Sequence, residues 1–451
     1  MQDRWTGRIG FILANIGAAV GLGSIWKFPY EVGSNGGSAF VFFYLAGLVF
    51  VVLPLMLAEF AIGRRGQSDT AGSVAKVALA DRASPRWALI GTLGVLTAFL
   101  ILSFYSVIGG WTIGYAVETI WRGLPPPQAA AAQARYDAFL AAPVQMALYH
   151  ALFMAATAAI VARGIAQGLE TASKILMPIL VTLVLFLAIY SVVQGGFLTT
   201  FHYLFAFDAS RFTERAALEA LGLGFFSIGV GLGLMITFAA YADAHINLRE
   251  VAIFTIVADT TISFLSGFAI FPIVFANGLD PSSGPGLLFV TLPLGFASMP
   301  FGLVAAVTFF ALLFVAALAS AISLLELPVT MLTRAYGWAR PRAAAATAAL
   351  CWALGLISVF SFNLWAGWYP LQAIPGLAKA TWFDLMDHLT SNVMLPIGGL
   401  AIAIFAGWHL PDRFLREEIG LTHRTTRLLH IALRLVVPAG VAAAALAPLL
   451  F

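Results

Sequence analysis

Two apolar stretches of this chain are interrupted in the same way, and the interruptions constrain its fold more than any other sequence feature. Gly17-Ala18-Ala19-Val20-Gly21-Leu22-Gly23-Ser24-Ile25-Trp26-Lys27-Phe28-Pro29 places three glycines and a lysine inside the first long hydrophobic segment. A helix facing lipid on all sides has no use for either. Unpaired backbone groups cost several kcal/mol each in hydrocarbon, so a break at membrane depth survives only where protein buries it or a polar cavity adjoins it. The pattern recurs in the sixth apolar segment as Gly229-Val230-Gly231-Leu232-Gly233. Glycine-interrupted segments at corresponding places in two halves of a chain point to a transporter binding site.

That reading requires a membrane protein. Of the residues, 61% are apolar and 10% charged, a mixture foreign to soluble domains of this length. Runs of roughly 17–25 apolar residues predict an all-α polytopic protein of about eleven transmembrane helices. They fall near 9–30, 38–63, 88–121, 145–162, 169–194, 218–244, 250–276, 300–334, 343–361, 379–408 and 428–450. With a cytoplasmic N-terminus, 18 of the 24 Lys and Arg residues fall on or near the cytoplasmic side. The exceptions are Lys27, Arg122, Arg135, Arg211, Arg215 and Lys379. Such a bias sets the N-terminus in the cytoplasm and, with an odd helix count, the C-terminus outside. The expected location is the cell (inner) membrane, and the basic loops read as topology signals, not as a nucleic-acid surface.

Several chemistries are excluded. One cysteine, Cys351, allows no intrachain disulfide and no multi-cysteine metal site. The seven histidines form no HxxxH or HExxH pair, so a zinc hydrolase is unsupported, and no Gly-Lys-Ser phosphate loop suggests an ATP-driven pump. The chain is not expected to be an enzyme. The first apolar stretch runs into Trp26 and Lys27 with no small-residue cleavage site, so it is not read as a signal peptide. A channel would carry a filter repeated by oligomeric symmetry, whereas two unlike broken helices in one chain fit a single central site.

Polar residues inside the apolar segments are the next candidates. Asp259, beside Thr260 and Thr261 and ahead of Ser263, lies near the middle of the seventh segment, where an acid is costly and functional by default. Glu59 has two readings: it accepts hydrogen bonds from amides freed at a glycine break, or it sits at headgroup level before Arg64-Arg65. Tyr105, taken alone, is either a packing residue or a ligand contact. Gly168 and Pro178 in the fifth segment allow an ordinary kink or local unwinding near the cytoplasm. Ala316 to Ala321 puts small residues at helix-contact spacing.

Taken together, several motifs resemble the neurotransmitter:sodium symporters in their bacterial amino-acid branch. They are Trp5-Thr6-Gly7-Arg8-Ile9-Gly10, Gly17 through Pro29, Asn35-Gly36-Gly37, Pro54-Leu55-Met56 with Glu59 and Gly63-Arg64, Gly168 to Pro178, Phe225-Phe226-Ser227, and Phe383 through Asp387. The likeness covers essentially the whole chain. It implies one transporter domain over residues 1–451. Helices one to five (about 9–194) and six to ten (about 218–408) would form two inverted repeats with helices one and six broken, and an extra helix would span about 428–450. The implied function is cation-coupled import of an L-amino acid by alternating access.

The resemblance also assigns residues. Substrate would lie between the breaks, its carboxylate at the amides near Leu22 and Gly23, where the positive end of a half-helix dipole suits an anion, and at Tyr105. Ala18, Ile101, Phe226, Ser227, Gly229, Leu232, Ser320 and Leu324 would surround the rest. That lining is apolar and roomy, which favours a hydrophobic L-amino acid. The first sodium site would use Ala19, Ser24, Ser227 and Asp259. The second would use Gly17, Val20, Ala316 and Ser320, weakened because Ala319 stands where a Thr or Asp ligand is usual. Chloride is not expected, because Leu223 replaces the usual Gln although Ser263 is present. Lys27 and Asp387 match the outer gate pair, looser here because lysine lacks arginine's bidentate fork. At the inner gate Tyr241 is in place, but the usual arginine falls at about Gln2 and the usual acid at Arg334, leaving open whether Asp3 meets Arg334. The altered ion sites leave proton coupling, exchange, or a non-transporting amino-acid sensor as alternatives to sodium symport. The bilayer and a small amino acid are the expected partners.

Overall fold

The computed structural model describes residues 4–208, 210, 212–279, 286–374 and 376–450, with side chains through 445. Gln2, Asp3, Arg211 and the outer turn expected at 281–286, apart from Gly286, lie outside them. Every element among the described residues is helical. Among the described residues nine helices are long and apolar enough to cross a membrane. They are α2 (Ser38–Gly66), α3 (Pro85–Arg122), α4 (Pro143–Val161), α5 (Ile165–Val193), α7 (Leu248–Ala276), α8 (Gly302–Arg334), α9 (Arg340–Ser361), α10 (Trp382–His409) and α11 (His423–Ala445). A tenth span, α1, is a bent pair, α1a (Arg8–Ala19) and α1b (Gly23–Ser34), whose axes diverge by 51°. The sixth, α6, is also divided, into α6a (Glu214–Ile228) and α6b (Leu234–Ala239). Neither half is long enough to cross alone, so among the described residues nine spans, or ten with the bent pair of α1, stand against the eleven expected.

The long helices α3 and α8 lie side by side at the centre. Helix α1a packs against α5, α7 and α8, α6 against α2, and α9 against α3 and α4. Helix α11 packs along α6a and α10. Connecting stretches that read as plain loops carry short helices, Ala129–Leu140 and Phe197–Phe205. The segment before the last span, expected as a basic loop, forms the helix Asp412–Ile419. Arg64 and Arg65 pair with Glu417 and Glu418 and bind that helix to the end of α2. In α5 a wide π-helical turn spans Ile165–Glu170, and the α-helix then runs uninterrupted through Pro178. The structure therefore has the helix wound at both Gly168 and Pro178.

The break in α6 is built on backbone contact. Gly229, Gly231 and Gly233 have φ of 74°, 91° and 71°, a region that side chains disfavour. A Cβ on Gly63 of α2 would stand 2.1 Å from the Ile236 carbonyl oxygen, and one on Gly94 of α3 would stand 2.1 Å from that of Leu232. Both helices thus reach the break only because they lack side chains there. The amides freed by the break need an acceptor, and Glu59 is that acceptor. Its fully buried carboxylate receives the Gly231 N–H at 2.6 Å and the Met235 N–H at 3.2 Å, which settles the two readings of Glu59 in favour of the break.

Glu59→Ala should therefore destabilise the protein by roughly 1–3 kcal/mol for each orphaned N–H, with Glu59→Gln falling between it and the wild type. Thermal unfolding in detergent checks this; a Glu59→Ala midpoint equal to that of the wild type would show that the amides find other partners.

Candidate functional site

The break in α1 exposes the Leu22 N–H, which donates to the Tyr105 hydroxyl of α3 at 3.3 Å. Gly21 permits this approach: a Cβ there would lie 2.3 Å from Ser320 Oγ and 2.9 Å from Tyr105 Oη. Ser320, from α8, donates toward the Gly17 and Ala18 carbonyls at 3.4 and 3.3 Å. All eleven residues that the resemblance places around a substrate line one cavity of about 40 Å³, drawn from α1, α3, α6 and α8. Leu234 and Leu395 join that lining and were not anticipated. One end of the cavity is polar, at Leu22, Tyr105 and Ser320. Apart from Ser227, the remainder of the lining is hydrocarbon and glycine backbone.

Beside this cavity lies a buried polar cluster. Asp259 accepts hydrogen bonds from Ser24, from Ser227 at 3.1 Å to each carboxylate oxygen, and from the Tyr44 hydroxyl at 3.0 Å. Ser24 and Ser227 also contact each other at 3.1 Å. All four side chains are buried. Tyr44 was missed because a tyrosine within an apolar segment reads as an ordinary packing residue. Among the described residues no group of three or more His, Cys, Asp or Glu side chains could hold a metal. A single carboxylate amid hydroxyls suits a hard monovalent cation better than a transition metal. At the second expected cation site, Ala319 contributes only a methyl, 3.7 Å from where a Gly17 Cβ would stand.

On one side of the cavity opens a charged vestibule of about 300 Å³ lined by Lys27, Glu31, Arg215, Glu219 and Asp387. Phe226 lines both spaces and separates them. Lys27 and Asp387 share the vestibule without forming an ion pair: the ammonium lies 4.5 Å from the centre of the Phe226 ring, and Asp387 accepts from Ser391.

The opposite side is closed around Tyr241, where the sequence placed a gate residue. Arg4 pairs with Asp243 at 3.1 Å, while Gln2 and Asp3, and with them the open question of an Asp3–Arg334 pair, lie outside the described residues. Beside Arg4, Trp5 is buried and donates its indole N–H to the Phe238 carbonyl at 2.9 Å. Position 334 carries Arg334, and on the same helix Glu326 is fully buried and paired with Arg340. Tyr241 donates to Glu326 at 3.2 Å and contacts the Thr330 hydroxyl at 2.9 Å, and the Arg334 guanidinium stacks 4.3 Å over its ring. A lone acid within Leu324-Leu325-Glu326-Leu327 is itself a sequence signal of function.

A single central cavity between two broken membrane helices, with a charged vestibule on one side and a polar closure on the other, defines a membrane transporter. Comparison with known proteins narrows the class. The chain matches the sodium:neurotransmitter symporter family over residues 2–138 and 140–438. It is 35% identical to an uncharacterized sodium-dependent transporter, YhdH, of Bacillus subtilis, over 92% of this chain and 89% of that protein. A second uncharacterized sodium-dependent transporter, from Haemophilus influenzae, is 31% identical over 94% of this chain and 93% of its own length. The crystal structure of MhsT in complex with L-phenylalanine superposes with a TM-score of 0.90 at 39% identity, covering 99% of this chain and all of that one. The chain belongs to the sodium:neurotransmitter symporter family, whose members are transporters and not enzymes.

Tyr241→Phe keeps the ring beneath Arg334 but removes the hydroxyl from Glu326. Loss of a hydrogen bond to a carboxylate costs about 1.5–3 kcal/mol, enough to raise opening of the closed side roughly tenfold or more. Hydrogen–deuterium exchange of residues 5–11 and 234–240 should quicken accordingly; unchanged exchange would remove Tyr241 from the closure.

Proposed function

We propose that this protein imports a hydrophobic L-amino acid across the inner membrane in symport with sodium, by alternating access. The observation that carries the proposal is the one cavity that gathers all eleven expected residues, polar at the break of α1 and, Ser227 apart, apolar elsewhere. The substrate carboxylate would take the Leu22 and Gly23 amides and the Tyr105 hydroxyl. Its side chain would lie among Ile101, Phe226, Gly229, Leu232 and Leu324. The structural likeness to a transporter holding L-phenylalanine supports a substrate of this class.

Sodium would bind first at Asp259, Ser24, Ser227 and the Ala19 carbonyl. Asp259 is the built-in counter-charge there, which removes the need for chloride. A weaker second ion would use Gly17, Val20, Ala316 and Ser320. Lys27 and Asp387 would approach one another when the vestibule shuts, and Arg4, Tyr241 and Glu326 would part when the other side opens. In this reading α1 to α5 and α6 to α10 are inverted repeats, and the N-terminus is cytoplasmic. A second reading, with protons as the coupling ion, draws support from Asp259 and from the oxygen missing at Ala319.

Uptake of a labelled amino-acid panel into proteoliposomes, with sodium or chloride replaced in turn and with an imposed proton gradient, tests these readings. Wild-type uptake should fail without sodium and persist without chloride. Asp259→Asn should weaken sodium dependence by about tenfold or more, as expected for loss of a charged ligand. A wild-type chloride requirement, or an Asn variant with unaltered ion dependence, would contradict the assignment. Uptake driven by protons alone would favour the second reading.

A further inference from the structure

The substrate cavity has a wall that neither the family resemblance nor the broken helices supply. Leu395 of α10 lines it. Its side chain is buried, at the point where α10 returns from the π-helical stretch His388–Met394 to an α-helix. Helix α10 reaches so deep because it meets the break of α6 backbone to backbone. A Cβ on Gly231 would stand 2.8 Å from the Leu395 carbonyl oxygen, one on Gly398 would stand 2.2 Å from the Gly231 carbonyl oxygen, and one on Gly399 would stand 2.9 Å from the Phe225 ring. Backbone pressed on backbone leaves no slack, so a longer occupant cannot be accommodated by sliding the helix past the break.

On the near side the wall is thin. Gly229 carries no side chain, and a Cβ built there would meet only Leu234 at 3.5 Å and Leu232 at 3.8 Å, ordinary contacts that leave the gap open. Gly229 and Leu395 line the same cavity, so a substrate side chain accommodated at the open Gly229 position shares that space with Leu395. The same helix carries Asp387, eight residues earlier, into the outer vestibule. Two positions on one helix, little more than two turns apart, thus face the substrate cavity and the space through which substrate enters.

We propose that Leu395 is the specificity-determining end wall of the substrate cavity, setting the longest amino-acid side chain the transporter accepts. The inference rests on the proposal that this cavity binds an amino acid. A hydrophobic pocket discriminates one methylene by roughly 10–200-fold at most, so the effect of one residue should be large and graded. Leu395→Ala should improve binding of tryptophan relative to valine by about tenfold or more. Leu395→Phe should reverse the ranking, retaining valine and losing tryptophan. Leu395→Met, nearly equal in volume, should keep the wild-type order, and Leu395→Val provides a small step should the larger changes fail to fold.

The measurement is competition by an unlabelled panel (alanine, valine, leucine, phenylalanine, tryptophan) against a labelled amino acid bound to each purified variant. Reranking by size supports the proposal. An equal loss for every amino acid, or an unchanged ranking in every folded variant, overturns it and reduces Leu395 to a packing residue. Failure of the wild type to bind any of the five would instead overturn the substrate assignment, and the inference with it.

Discussion

A carboxylate that meets two backbone amides inside the membrane is the interaction on which the remaining structure depends. Helix α6 cannot break in hydrocarbon unless something accepts the hydrogen bonds its helix gives up, and Glu59 accepts them from Gly231 and Met235. With the break secured, α2 and α3 can approach through Gly63 and Gly94, and α10 can press Gly398 onto Gly231. The cavity is the space left where this junction faces the matching break of α1. Four spans and their glycines thus converge on one satisfied acid.

A second buried acid, Asp259, is satisfied differently, and the difference separates a structural role from a functional one. An amide N–H can only donate, so the partners of Glu59 have nothing to offer a cation. Ser24, Ser227 and Tyr44 donate to Asp259 through hydroxyls, each of which also carries lone pairs. Rotation of those hydroxyls turns a set of donors into a set of oxygen ligands without moving a helix. The cluster joins α1, α2, α6 and α7, so an ion held there would draw together both breaks. Closure of the side opposite the vestibule is distributed in a comparable way. Tyr241 is held by α8 through Glu326 and Thr330 and is covered by Arg334, while Arg340 holds Glu326 from the start of α9.

Much of this was legible in the sequence because the membrane makes irregular residues conspicuous. Glycine runs, a lysine and acids stand out against hydrocarbon, so both breaks and the buried Asp259 are visible in the sequence itself. Tyr44 and Leu395 do not stand out, since an aromatic or a leucine in an apolar helix looks the same whether it faces a neighbour or a site. Only the backbone contacts at Gly231 bring α10 close enough to make Leu395 matter. Glu326 is the reverse case: a single acid in a long apolar helix stands out, but only the structure shows that Arg340 and Tyr241 hold it.

The account centres on one cavity that binds an amino acid between two broken helices, with a cation at Asp259. A cryo-electron microscopy map of the protein in lipid nanodiscs, with sodium and a hydrophobic L-amino acid, tests that claim most directly. The account predicts amino-acid density with its carboxylate against the Leu22 and Gly23 amides and the Tyr105 hydroxyl, and an ion coordinated by Asp259, Ser24 and Ser227. Amino-acid density confined to the vestibule beside Lys27 and Arg215, with the cavity beneath Phe226 vacant, would contradict it.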